Sequence, residues 1–180
     1  EQLATVAAAT GLGQRLFIDH CAAGHGREGL GNRVLGAPNL TDAEWLYGGD
    51  SATIMASIVD GRHGVMPPFA SSFDADSLTN LANYVLSLSG ADHSPIKAAA
   101  GKPLFAVCSA CHGVEGKGNP LLGAPNLTDS VWMYGGDLAG IENTIRNGRG
   151  GVMPAWRARL DANDTRLITA WVYAQSHSTH

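Results

Sequence analysis

The chain carries one sequence pattern twice. From His25 and His112 to the ends of the two copies, matching residues stand 87 positions apart without a gap. Gly36-Ala37-Pro38-Asn39-Leu40-Thr41-Asp42 returns as Gly123-Ala124-Pro125-Asn126-Leu127-Thr128-Asp129, and Arg62-x-Gly64-Val65-Met66-Pro67 returns as Arg149-x-Gly151-Val152-Met153-Pro154. Upstream of the first cysteines the offset becomes 88, which matches Gly13 and Phe17 with Gly101 and Phe105. A period this long is not a solenoid repeat, and each copy is large enough to be a small domain. The expected domains are residues 10–89 and 98–176. Between them, 90–97 reads as a linker, because Gly90, Pro95 and polar residues interrupt both helical patterns.

The second copy contains Cys108-Ser109-Ala110-Cys111-His112. This is a CxxCH motif, in which two thiols attach a haem through thioethers and the histidine becomes an axial iron ligand. The first copy has Cys21-Ala22-Ala23-Gly24-His25, with glycine in place of the second cysteine. Three outcomes stay open there: haem attached through Cys21 alone, haem held without a bond, or no haem. The chain's three cysteines all lie in these two motifs, so none remains for a disulfide framework.

A closed electron-transfer site needs a sixth ligand, and a methionine thioether is a common one. Met66 and Met153 each follow their copy's histidine by 41 residues, far enough for the chain to reach the opposite haem face. The prolines after them, Pro67 and Pro154, fix the local backbone. The plain alternative is that these methionines fill a core. Met55 and Met133 have no methionine counterpart in the other copy and read as packing. His63, three residues before Met66, is a second candidate ligand after a conformational change.

Arg62 and Arg149 precede the methionines, where a guanidinium can grip a haem propionate or simply face solvent. Trp45 with Tyr47, and Trp132 with Tyr134, can donate hydrogen bonds to a propionate or serve as core. Asn39 and Asn126 are candidates for holding the loop after each histidine.

The chain is 44% hydrophobic but only 7% aromatic, with 23 glycines, which suits short helices and close-fitting loops more than a broad sheet. Helices are expected over about 11–22 and 98–110, after the N-caps Asp50 and Asp137, and at the end of each copy. The closing helices should bury Leu78, Leu81, Val85 and Leu88 in copy one, and Leu167, Ala170, Trp171 and Ala174 in copy two. No strand of useful length is expected. The architecture is therefore all-α, two tandem domains of three to four short helices wrapped round a haem. Domains of this size are near the lower limit for independent stability, and a buried haem supplies missing core. The formal charge of -4 gives no nucleic-acid footprint and no polybasic membrane patch. An acidic face can instead steer a basic redox partner.

The CxxCH-like pair, the Asn-Leu-Thr-Asp and Tyr-Gly-Gly segments and the two Met-Pro loops together resemble the dihaem subunit of cbb3-type cytochrome c oxidases, from about Gly11 to Ala174. The resemblance implies class I cytochrome c-like domains and two haem c groups, the first attached through Cys21 only if covalently attached. Carried over, His25 and Met66 ligate one iron and His112 and Met153 the other. It also implies a periplasmic location, with the membrane reached only through an N-terminal anchor missing from this sequence. The implied partners are the terminal oxidase core subunits and a small electron-donor cytochrome. The expected role is electron transfer with no catalytic centre of its own. A free soluble dihaem carrier is the nearest alternative, and a haem-based sensor or peroxidase-like protein a more distant one.

Overall fold

The computed structural model describes residues 2–177, with side chains from residue 9 onward. Its elements are α1 (Gln2–His20), α2 (Ala22–His25), α3 (Ser51–Asp60), β1 (Arg62–Met66), α4 (Ala75–Leu88), α5 (Pro95–Gly101), a 3₁₀ helix (Lys102–Val107), α6 (Ser109–His112), α7 (Leu138–Asn147), β2 (Arg149–Met153) and α8 (Ala162–His177). The fold is helix-dominated, as expected of two tandem cytochrome c-like domains. It differs from the all-α expectation by one small sheet, in which β1 pairs with β2. The sequence hides these strands because each finds its partner in the other copy, and a five-residue run containing glycine has little strand signal alone.

The chain divides into two compact units, but not at the expected linker. Unit 1 comprises Glu1–His63 with Gly151–His180, and unit 2 is Gly64–Gly150. The boundary falls inside both strands. The compact units cut across the two sequence copies expected over 10–89 and 98–176: each unit takes its first helices from one copy and its last helix from the other.

Unit 2 shows why. Residues 90–97, expected as a linker, form a tight helix-to-helix connection. Ala91 N–H donates to Leu86 O at 3.1 Å, Ser94 N–H donates to Asn83 Oδ1 at 2.8 Å, and Ser94 caps α5. A connection this short makes α4 and α5 neighbours. Their contact is close: a Cβ on Gly101 would collide with the Asn80 carbonyl. The core of unit 2 is Leu78, Leu81, Ala82, Val85, Leu86, Phe105, Leu127, Ile141 and Ile145.

Unit 1 repeats this packing with α1 against α8. Here a Cβ on Gly13 would collide with the Leu167 carbonyl, so the equivalent glycines mark equivalent helix crossings. Its core is Phe17, Leu40, Ile54, Ile58, Leu160, Ile168, Trp171 and Val172. The buried face of α8 departs from expectation: Thr165, Ile168, Thr169, Trp171 and Val172 are buried, whereas Ala170 is exposed. Threonine can line a core when its hydroxyl is satisfied locally. The Thr165 and Thr169 hydroxyls each donate to the carbonyl four residues back, at 2.8 Å.

Other local expectations hold. Asp50 accepts from the Ala52 and Thr53 amides and Asp137 from the Gly140 amide, so both cap their helices, which end before Gly61 and Gly148. The helix expected over 98–110 is instead broken into α5, the 3₁₀ turn and α6, where Pro103 cannot supply an i to i−4 hydrogen bond.

Candidate functional site

Each unit presents one buried histidine at the end of a single helical turn, α2 or α6. His25 Nδ1 lies 3.1 Å from Pro38 O, and His112 Nδ1 lies 3.0 Å from Pro125 O. A carbonyl can only accept, so Nδ1 carries the proton and the Nε2 lone pair is left for a metal. Burial lowers the His25 pKa, partly opposed by the Pro38 hydrogen bond, and so favours the neutral, ligating imidazole.

The loop after each histidine hangs on it directly: Gly31 N–H donates to His25 O and Gly118 N–H to His112 O, both at 2.8 Å. Glycine is required there. Gly31 has φ 83° and Gly118 has φ 82°, and a Cβ on either would lie 2.7 Å from a backbone atom of Asn39 or Ala124, respectively. Asn39 and Asn126 hold the next turn, each accepting from the amide and hydroxyl of the threonine two residues on, Thr41 or Thr128.

Cys21 and Cys108 are half-buried and Cys111 is exposed, all three unpaired. Burial pushes the Cys21 thiol up to about 11 and does the same to Cys108, where Cys111 adds a smaller contribution. Protonated thiols are poor metal ligands. Among the described residues, no group of three or more His, Cys, Asp or Glu side chains could hold a metal ion. The glycine at position 24 leaves the backbone turn intact, since His25 N–H still donates to Cys21 O at 3.0 Å, as His112 does to Cys108 at 2.9 Å. A Cβ at Gly24 would meet nothing within 4 Å. The first motif has lost a sulfur, not its geometry.

The methionines fall opposite to the expected pairing. Met153 packs on the core of unit 1, the unit that holds His25, and Met66 packs on the core of unit 2, the unit that holds His112. Backbone hydrogen bonds fix this exchange. After Met153, Trp156 N–H donates to Ile58 O and Arg157 N–H to Val59 O, at 3.1 and 3.3 Å, tying the loop to α3. After Met66, Phe69 N–H donates to Ile145 O and Ala70 N–H to Arg146 O, at 3.0 and 3.1 Å, tying that loop to α7. His63 lies on the exposed positions of β1, which alternate with those of Arg62 and Met66.

Trp45 and Trp132 pack on the two cores, each close beneath a glycine, Gly49 or Gly136, where a Cβ would strike the indole. Tyr47 and Tyr134 instead lie under arginines: Arg62 is 4.5 Å from the Tyr47 ring centre and Arg149 is 4.3 Å from that of Tyr134. Two hydroxyls that sequence reasoning missed join them. Arg62 Nε donates to Ser57 Oγ at 2.8 Å, and Arg149 Nε and Nη2 donate to Thr144 Oγ1 at 3.0 and 2.8 Å. Their signal was present, since residues 57 and 144 occupy equivalent repeat positions and both carry a hydroxyl.

Each unit thus holds a buried histidine with Nδ1 on a backbone carbonyl, a methionine packed on its core and at least one cysteine at the histidine's helical turn. This donor set fits a thioether-linked haem.

The sequence profile of the family described as cytochrome c oxidase, cbb3-type, subunit III matches residues 8–85 and 97–172. The cbb3-type cytochrome c oxidase subunit CcoP of Rubrivivax gelatinosus is 42% identical over 99% of this chain and 59% of its own length. The FixP subunit of Azorhizobium caulinodans is 45% identical over 89% of this chain and 58% of its own length. CcoP of Cereibacter sphaeroides is 40% identical over 92% of this chain and 60% of its own length. The chain therefore spans about three-fifths of these relatives. No described helix is long and apolar enough to cross a membrane. With matches across both copies, the chain belongs to the family of cbb3-type cytochrome c oxidase subunit III.

Proposed function

We propose that the chain is a dihaem electron relay, with each haem built from both sequence copies. His25 and Met153 ligate the haem of unit 1, and His112 and Met66 that of unit 2. Cys108 and Cys111 attach the second haem, Cys21 alone attaches the first, and Arg62 and Arg149 face the propionates. The observation that carries this reading is the exchange itself: each buried histidine lies in the same compact unit as the other copy's methionine, which packs on that unit's core.

The haem iron supplies reversible one-electron chemistry when bound. The chain's residues do the rest. The carbonyls of Pro38 and Pro125 hold the histidine tautomer and ring orientation, and the pinned methionine loops hold the sulfurs. Cores of Phe17, Ile54 and Trp171, or of Phe105, Ile141 and Leu81, exclude water beside them. As a subunit of a cbb3-type oxidase, the chain passes electrons from a periplasmic donor cytochrome towards the oxidase core. Dioxygen reduction takes place elsewhere in that complex.

An intact mass of the denatured protein tests the cofactor count, because only covalently held haem survives denaturation. The expected mass is that of the chain plus two haems. A mass with one haem would overturn attachment through Cys21, and the bare chain mass would overturn the cytochrome reading.

A further inference from the structure

We propose that Ser57 in unit 1 and Thr144 in unit 2 are positioning residues that aim the guanidiniums of Arg62 and Arg149 at the haem propionates and so help set the haem potentials. This rests on the reading of the two units as haem sites.

Arg62 is held on two sides. Its Nε donates to Ser57 Oγ at 2.8 Å, and Tyr47 covers one face of the guanidinium. Ser57 is itself oriented, because its hydroxyl donates to Thr53 O at 2.9 Å and so presents a lone pair to Nε–H. Thr53 is anchored in turn by the Asp50 cap, through its amide at 3.0 Å and its hydroxyl at 2.6 Å. Asp50, Thr53, Ser57 and Arg62 form one chain of contacts running from the start of α3 to β1. With Nε engaged and one face covered, the two Nη groups form the edge left to meet an anion.

Among the described residues, the ion pairs are Lys117–Glu115, Arg146–Glu142 and Arg157–Asp60, and neither Arg62 nor Arg149 takes part in one. A permanently charged, half-buried guanidinium anchored through a neutral hydroxyl keeps its capacity for a carboxylate. A haem propionate is the carboxylate that the haem sites bring. The two units differ in one respect. Ser57 engages Nε of Arg62, whereas Thr144 engages Nε and one N–H of Nη2 of Arg149, and in both the Nη1–Nη2 edge keeps two N–H groups for a carboxylate.

A positive charge fixed at a propionate stabilises the reduced haem, which carries one positive charge fewer than the oxidised form. Freeing the arginine therefore lowers the midpoint potential. The test is a spectroelectrochemical titration of the intact dihaem protein carrying Ser57→Ala, Ser57→Thr or Arg62→Leu. Ser57→Ala and Arg62→Leu should lower the potential of the same haem by up to about tenfold in its reduction equilibrium, ~59 mV for one electron, and leave the other haem in place. Ser57→Thr should restore the parent potential, because threonine does this work in unit 2. If Arg62→Leu shifts the potential but Ser57→Ala does not, the positioning role is overturned and the haem reading stands. If neither shifts it, the propionate contact of Arg62 is overturned as well.

Discussion

Phe17 packs against Trp171 with ring centroids 4.3 Å apart, although the two residues come from different copies of the repeat. The equivalent pair, Phe105 and Tyr84, meets at 5.2 Å in unit 2. In each case the aromatic beside the cysteine motif meets the closing helix of the other copy. Trp171 belongs to the second copy but lies in the core of the unit that holds His25.

Trp171→Ala should therefore injure the first haem site, not the second. Truncating a buried aromatic typically costs about 3–5 kcal/mol. Thermal unfolding followed in the absorption of each haem should show the His25 site melting earlier and the His112 site unchanged. Early melting of the His112 site would mean that the copies fold separately.

Gly24→Cys should complete the first motif. The position is open, and the backbone turn already matches that of Cys108 to His112. Adding the second sulfur to the remaining vinyl group leaves the mass unchanged but shifts the absorption of the alkaline pyridine haemochrome to shorter wavelength. An unshifted spectrum would show that the new thiol does not reach the porphyrin.

Gly31→Ala and Gly118→Ala should each destabilise their unit by more than about 1 kcal/mol, since alanine is disfavoured at positive φ and its Cβ would press on the neighbouring backbone. Denaturant titration of the variants measures this. A parent-like midpoint would contradict the close approach seen between these glycines and the segments at Ala37–Asn39 and Ala124–Asn126.

Stability should fall in acid partly through Asp50 and Asp74. Hydrogen bonds from the Thr53 hydroxyl and amide hold Asp50 below the usual carboxylate range, and those from the Ser77 amide and hydroxyl do the same for Asp74. A depressed folded pKa means that the contribution is complete above the unfolded value, about 3.9, and is lost as pH falls through the folded one. Asp50→Asn and Asp74→Asn keep a capping oxygen without this titration. Both should flatten the acid limb of a stability–pH curve, and an unchanged limb would assign acid sensitivity to other groups.

The repeat made the local parts readable: the histidines, the capping aspartates Asp50 and Asp137, and the helix ends at Gly61 and Gly148 all follow from residue type and spacing. The exchange was not readable, because copies this similar offer interchangeable partners. The sequence offers Phe17 two closing-helix aromatics, Tyr84 and Trp171, and sets both methionines at the same spacing from a histidine. The choice is made by chain connection, where the short turn ending at Ser94 joins α4 to α5. Residues whose roles depend on contacts made after folding, such as Ser57 and Thr144, carried only the faint signal of a shared hydroxyl.

The most direct test of the exchanged sites is to compare Met153→Ala with Met66→Ala in the oxidised protein. The haem attached by one thioether absorbs at longer wavelength in the reduced state, so the two sites are spectrally labelled. Met153→Ala should convert that haem to the high-spin form and leave the doubly attached haem low-spin, with Met66→Ala giving the reverse. If Met66→Ala instead strips the sixth ligand from the singly attached haem, each copy keeps its own methionine and the exchange is wrong.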